Sequence, residues 1–198
     1  MNGNTPQNQH LTISSVEASQ GLDELRAIAS HLQLAEALVE AEATALMTAF
    51  REARLELRNQ AAVQQPGEAV DTKAGKYSPL NLGVRAHKGG LEIYWFTQNK
   101  AATGRTAYRY LPLGRGGRAG HGYQLPGLLA HARPYERDLV RETEGRATAL
   151  RARRAALVDL RRSAQRLVKQ YEEQVSRDQA QPDRHVGADP FGAVQLPG

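Results

Sequence analysis

Between residues 85 and 118 the chain carries Arg85, Lys88, Lys100, Arg105, Arg109, Arg115 and Arg118, interleaved with His87 and the tyrosines Tyr94, Tyr108 and Tyr110. Guanidinium and ammonium groups pair with phosphate oxygens, and phenol rings stack on unpaired bases at about 1–3 kcal/mol per base. The chemistry this mixture offers is the holding of a nucleic acid. The wider stretch 73–133 has ten Lys/Arg against a single acid, Glu92, and seven of the eleven aromatics in the chain. So much like charge repels itself unless a polyanion offsets it. Two plainer accounts stand beside this one. Aromatics are good strand formers and can serve as the core of a small sheet, and solvated positive charge needs no ligand. The run GRGGRAGHG (114–122) resembles RGG-type segments that bind nucleic acid without sequence preference, and it reads equally as a flexible loop leaving a hairpin.

Catalysis has little to build on. His10, His31, His87, His121, His131 and His185 are scattered, with no H-x-H, H-x-x-H or H-E-x-x-H spacing, so no metal site is expected. A DNA-nicking tyrosine would need such a histidine cluster. With Glu92 the only acid of the central stretch, paired carboxylates for acid–base or two-metal chemistry are missing there. The chain has no cysteine, which excludes disulfides and thiolate ligands. The expectation is a protein that is not an enzyme and needs no cofactor.

Two helical segments flank the basic stretch. Over 21–60, Leu25, Ile28, Leu32, Ala35, Val39, Ala43, Leu46, Phe50, Ala53 and Leu57 recur at steps of three and four, a narrow stripe suited to a coiled-coil seam. Over 134–176, Pro134 suits a first helical position, with Glu136 and Asp138 in the first turn. Two heptad rows follow: Thr143, Leu150, Leu157, Ala164 and Tyr171, and Leu139, Arg146, Arg153, Leu160 and Leu167. The first helix has a net charge of −3 and the second +3, which favours pairing with each other over self-pairing. An antiparallel hairpin within one chain is expected, with a homodimer through the same seams as the alternative. Between the helices, 61–79 reads as linker. Leu80, Leu82, Val84 and Ala86 alternate with polar residues, Gly89-Gly90 marks a hairpin, and LEIYWFT (91–97) and RTAYRYLPL (105–113) supply further strands. Period two puts Glu92, Tyr94 and Phe96 on one face and Leu91, Ile93 and Trp95 on the other, and it separates Tyr108 and Tyr110 from Arg109.

The expected fold is therefore α+β: a long antiparallel helical hairpin (coiled coil) with a small three-stranded antiparallel sheet inserted between its helices. It forms one elongated domain over 21–176, with the meander at 80–113, a Gly/Arg loop and turn at 114–133, and disordered tails at 1–20 and 177–198. A mean hydropathy of −0.56 suits an elongated helical protein. The start MNGNTPQNQH lacks a basic and apolar leader, and no run nears the ~18 apolar residues of a membrane span, so a cytoplasmic location without membrane contact is expected.

The order of features over 78–172 resembles the MobI-type conjugative transfer proteins of integrative conjugative elements and large conjugative plasmids. SPLNLGVRAHKGGLEIYWF is followed by a basic strand and a Gly/Arg loop, then by GYQLPGLLAHARPYERDLVRETE and a helix ending RRSAQRLVKQYEE. The resemblance rests on Glu92–Trp95, Gly122–Tyr123, Tyr135-Glu136, Glu142–Glu144 and Leu167–Tyr171, and spans about half the chain. It implies an auxiliary relaxosome factor that recognises the transfer origin and assists the relaxase without cleaving DNA. From charge and pleat, the expected DNA-binding residues are Arg85, His87, Lys88, Tyr94, Lys100, Arg105, Tyr108, Arg109, Tyr110, Arg115 and Arg118. Partners would be transfer-origin DNA and the relaxase or other transfer proteins. The alternative is a coiled-coil adaptor whose basic tip docks an acidic protein, because carboxylates complement arginine as well as phosphates do.

Overall fold

A computed structural model describes residues 15–64, 78–87, 90–100, 105–113 and 121–180. The expected tails before residue 15 and after residue 180, Lys88, Gly89 and the core of the Gly/Arg loop with Arg115 and Arg118 lie outside the described residues. The elements are α1 (Ser15–Gln64), β1 (Leu80–His87), β2 (Gly90–Lys100), β3 (Thr106–Tyr110), a short α2 (Leu125–Leu129), a 3-10 turn (Pro134–Glu136) and α3 (Arg137–Gln179). The architecture is α+β, with a three-stranded antiparallel sheet in the order β1-β2-β3 falling between two long helices in the chain. Among the described residues, no helix is long and apolar enough to cross a membrane.

The chain forms two compact units, one of residues 32–160 and one that joins the start of α1, up to His31, with α3 from Arg161 onward. In the larger unit the apolar stripe of α1 becomes one wall of the core: Val39, Ala43, Leu46 and Phe50 are buried. Val140, Ala147 and Leu150 of α3, Leu128 of α2, and Leu80, Leu82, Ile93 and Trp95 of the sheet fill the rest. Phe50 meets Trp95 edge to face, with ring centroids 5.2 Å apart, the arrangement the ring quadrupoles favour. Arg153 of α3 bonds Glu42 of α1 at 2.9 and 3.1 Å. In the smaller unit Arg26 donates to Glu172 at 2.7 Å. These half-exposed pairs set register more than stability.

Two features of the helices differ from the pattern read off the sequence. The first helix begins at Ser15, ahead of the expected residue 21, and carries Gly21 within it; residues 15–20 contain no breaker, and one helical glycine costs only about 1 kcal/mol. In α3, the row Thr143, Leu150, Leu157, Ala164 and Tyr171 does face inward, but of its companion only Leu139 packs against the core. Arg146, Arg153, Leu160 and Leu167 are exposed, and Val140 and Ala147 are buried in their place. The two choices of second row are one residue apart. The row that turns inward carries two arginines as well, Arg154 and Arg161, both half-buried, so what sets it apart is its head, where Val140 and Ala147 join the core.

Candidate nucleic-acid interface

The pleat sorts the sheet residues into a covered face and an open one. Leu82 pairs with Trp95 and Val84 with Ile93 across β1 and β2, and these residues look into the core. The alternate positions look away: Gly83 opposite Tyr94, Arg85 opposite Glu92, and, across β2 and β3, Phe96 opposite Tyr110 and Gln98 opposite Tyr108. Four rings meet there. Tyr94 lies 5.3 Å from Tyr110 and 5.7 Å from Phe96, and Phe96 lies 5.9 Å from Tyr108. Tyr108 and Tyr110 are 59% and 53% exposed.

Arg85 completes this face. Its guanidinium sits 4.7 Å from the Tyr94 ring centroid and 4.8 Å from that of Tyr110, within cation–π range. Its Nε donates to Glu92 at 2.8 Å and an Nη to the Tyr110 hydroxyl at 3.2 Å. Glu92, the acid that stood alone in the basic stretch, thus orients Arg85 and offsets part of its charge. Burial is the main cause that lifts the Tyr94 hydroxyl above the ordinary phenol value, and neighbouring Tyr110 adds to it. The ring therefore stays neutral and suited to stacking near neutral pH.

Gly83 lets the Tyr94 ring lie across β1. A Cβ there would stand 2.5 Å from the ring's terminal carbon, inside any permitted contact. Gly83→Ala is expected to displace Tyr94 and weaken single-strand DNA binding by about the value of one stacked base, roughly 1–3 kcal/mol. The check is fluorescence anisotropy on a labelled oligonucleotide, with circular dichroism to show an intact fold.

The remaining expected residues are not all brought together. Arg105 is exposed at the entry to β3. Arg109 also lies at an exposed position, but on the face opposite the tyrosines, where it lines a cavity of about 450 Å³ with Leu111, Tyr123, Leu128 and His131. His87 and Lys100 occupy strand ends, paired in register with Gly90 and Thr106. Phe96, which joins the open-face cluster, was absent from the residues nominated on charge and pleat.

Behind the open face a buried polar network fixes β2. Glu144 of α3 accepts from Trp95 Nε1 at 2.7 Å, from the Tyr123 backbone N–H at 2.7 Å and from Thr148 Oγ1 at 2.9 Å. Arg151, two turns along α3, gives Glu144 two bonds at 3.0 and 3.2 Å, and donates to the carbonyls of Ile93 and His121, each at 2.9 Å. The pair is almost dry, with side chains 10% and 6% exposed. The Trp95 backbone N–H reaches the Tyr123 hydroxyl at 3.3 Å, and burial pushes that hydroxyl's pKa up. At the other end of the sheet, Ser78 donates to Glu136, whose same oxygen takes the Arg133 backbone N–H at 2.9 Å and caps the turn that opens α3. A single sequence signals this support faintly, through opposite charges seven residues apart on one helix.

No curated protein and no solved structure matches the chain. The family model described as MobI protein matches residues 39–165. That match takes in well over half the chain, with the open aromatic face and the Glu144–Arg151 network inside it, and the chain belongs to the MobI family.

Proposed function

We propose that this protein is a non-catalytic accessory factor of conjugative DNA transfer, which holds unpaired transfer-origin DNA on the open sheet face and assists the relaxase there. Membership of the MobI family supports the accessory role in conjugative transfer. The observation that carries the DNA-binding part is the cluster of Tyr94, Phe96, Tyr108 and Tyr110 with Arg85, left open to solvent on a sheet whose other face is covered. Soluble domains seldom leave several rings together on an open surface without a ligand. Rings offer stacking to any base, and bases are available for stacking only where strands are separated. Origin DNA must be opened before a strand can be transferred, so a strand-holding surface fits the task.

The second side of the role is contact with a protein. Leu34 and Leu38 are each 65% exposed, one turn apart on α1, and support this helix as the docking surface for the relaxase or another transfer protein.

Binding measured with single-stranded and duplex origin oligonucleotides, against heparin as a polyanion control, tests the proposal. Preference for the single strand is expected; equal or stronger duplex binding refutes the stacking mechanism. Salt dependence is a separate expectation. Six phosphate contacts on a single strand give a slope of about −4 in log K against log salt, so affinity drops on the order of 10²–10³ between about 50 and 200 mM salt. A flat response over that range removes phosphate pairing from the account.

A further inference from the structure

Arg51, Arg54 and Arg58 stand at i, i+3 and i+7 on α1 and share one helix face. With Leu55, Ser78, Asn81, Gln98 and Tyr135 they line a cavity of about 300 Å³. Among the described residues, no carboxylate is in that lining. Glu136, buried behind Ser78, accepts from the Ser78 hydroxyl and the Arg133 backbone N–H through one oxygen, and among the described residues its other oxygen is buried without a partner. Among the described residues the buried Tyr135 hydroxyl has no hydrogen-bond partner, an arrangement that calls for an acceptor. Burial lifts its pKa, so it remains a donor. Arg54 is braced by the Leu80 carbonyl and by Asn81 Oδ1 at 3.1 Å. Arg51, Arg58, the Tyr135 phenol and Gln98 thus border one space large enough for a tetrahedral oxyanion, with Arg54 fixed beside it by the Leu80 carbonyl, Asn81 and the Phe50 ring.

We infer that this cavity is a phosphate-binding pocket that takes one phosphate group of the nucleic acid strand held by the sheet. The placement beside the aromatic face rests on the proposed function; the phosphate chemistry of the pocket does not. Asn81 pairs in register with Phe96 and Gln98 with Tyr108, so the lining continues directly into the open face. Arg51 is also close enough to act on the Tyr94 hydroxyl electrostatically. A strand stacked on Tyr108 and Phe96 has its backbone delivered to Arg51 and Arg58. The group is a phosphodiester within the strand or a phosphate at its end; both present the same oxygens.

Two measurements test the pocket. Inorganic phosphate titrated into the full chain is expected to shift the arginine Nε–Hε NMR signals of Arg51 and Arg58 saturably, with assignments from the single variants Arg51→Gln and Arg58→Gln; absent or non-saturating shifts overturn the pocket whatever DNA does. The second compares Arg51→Gln/Arg58→Gln with Tyr108→Ala/Tyr110→Ala on single strands carrying a 5′-phosphate or a 5′-hydroxyl. The arginine variant is expected to lose about tenfold or more in affinity, the value of a charge-assisted hydrogen bond, and to flatten the salt slope by about 0.7, one phosphate's share. Loss on both oligonucleotides assigns an internal diester; loss only on the phosphorylated one assigns a terminal phosphate. If the tyrosine variant fails to bind while the arginine variant keeps affinity and slope, the pocket is wrong and the aromatic surface stands. The reverse pattern retires the aromatic surface and keeps the pocket. Arg54 is left untouched because its bonds to β1 hold the sheet.

Discussion

Glu144→Ala is expected to destabilise the larger unit by about 3–5 kcal/mol, the usual cost of removing one member of a buried ion pair. The carboxylate satisfies the Trp95 indole N–H, the Tyr123 backbone N–H and the Thr148 hydroxyl, as well as Arg151. Alanine leaves Arg151 as an uncompensated charge in a dry site and takes the acceptor from three further donors. The measurement is the urea midpoint followed by Trp95 fluorescence, which reports the network directly because Trp95 is the only tryptophan. Glu144→Leu combined with Arg151→Met is expected to recover only part of the loss. Removing both charges relieves the unpaired guanidinium, but the Ile93 and His121 carbonyls still lose their donor. A midpoint for Glu144→Ala within error of the wild type would show that the pair does not hold the sheet.

Tyr108→Ala/Tyr110→Ala carries the second large effect, on binding alone. Each stacked base contributes about 1–3 kcal/mol, so losing two platforms lowers single-strand affinity on the order of 10²-fold or more. Both side chains are more than half exposed, so the melting temperature should move little. Tyr108→Phe/Tyr110→Phe keeps the rings and is expected to keep most of the affinity, which separates stacking from hydroxyl hydrogen bonding. The Tyr110 hydroxyl does accept from Arg85, so a modest loss from that variant is consistent with a loosened guanidinium. Anisotropy titrations at fixed salt read all three proteins. Wild-type affinity in the alanine double variant contradicts the proposed surface.

Much of the fold was legible because period and breakers agreed. The alternation at Leu80, Leu82 and Val84 and the run LEIYWFT fixed both the strands and their faces, and the structure pairs Leu82 with Trp95 accordingly. The inward stripe of α1 was visible too, down to Val39, Ala43, Leu46 and Phe50. The second seam row of α3 was not, because two rows one residue apart fit a heptad equally and each carries two arginines; only the packing of Val140 and Ala147 into the core separates them. The arginine pocket escaped for a different reason. A net charge of −3 summed over the first helix hid three arginines gathered within its last third, and only the return of the chain at Ser78 and Tyr135 encloses a cavity beside them. Long-range closure of that kind leaves no mark on local pattern.

Trp95 sits between Tyr94 and Phe96 in β2, its indole locked to α3 and its backbone to Tyr123. The two flanking rings are consequently mounted on a strand with little freedom to swivel. In the proposed role, a ligand meeting them would find a preorganised surface, and the conformational entropy lost on association would fall on the nucleic acid rather than on the protein. Discrimination among strands then follows from how easily each one relaxes its own stacking, so selectivity would come from the flexibility of the DNA, with no base edge needing to be read.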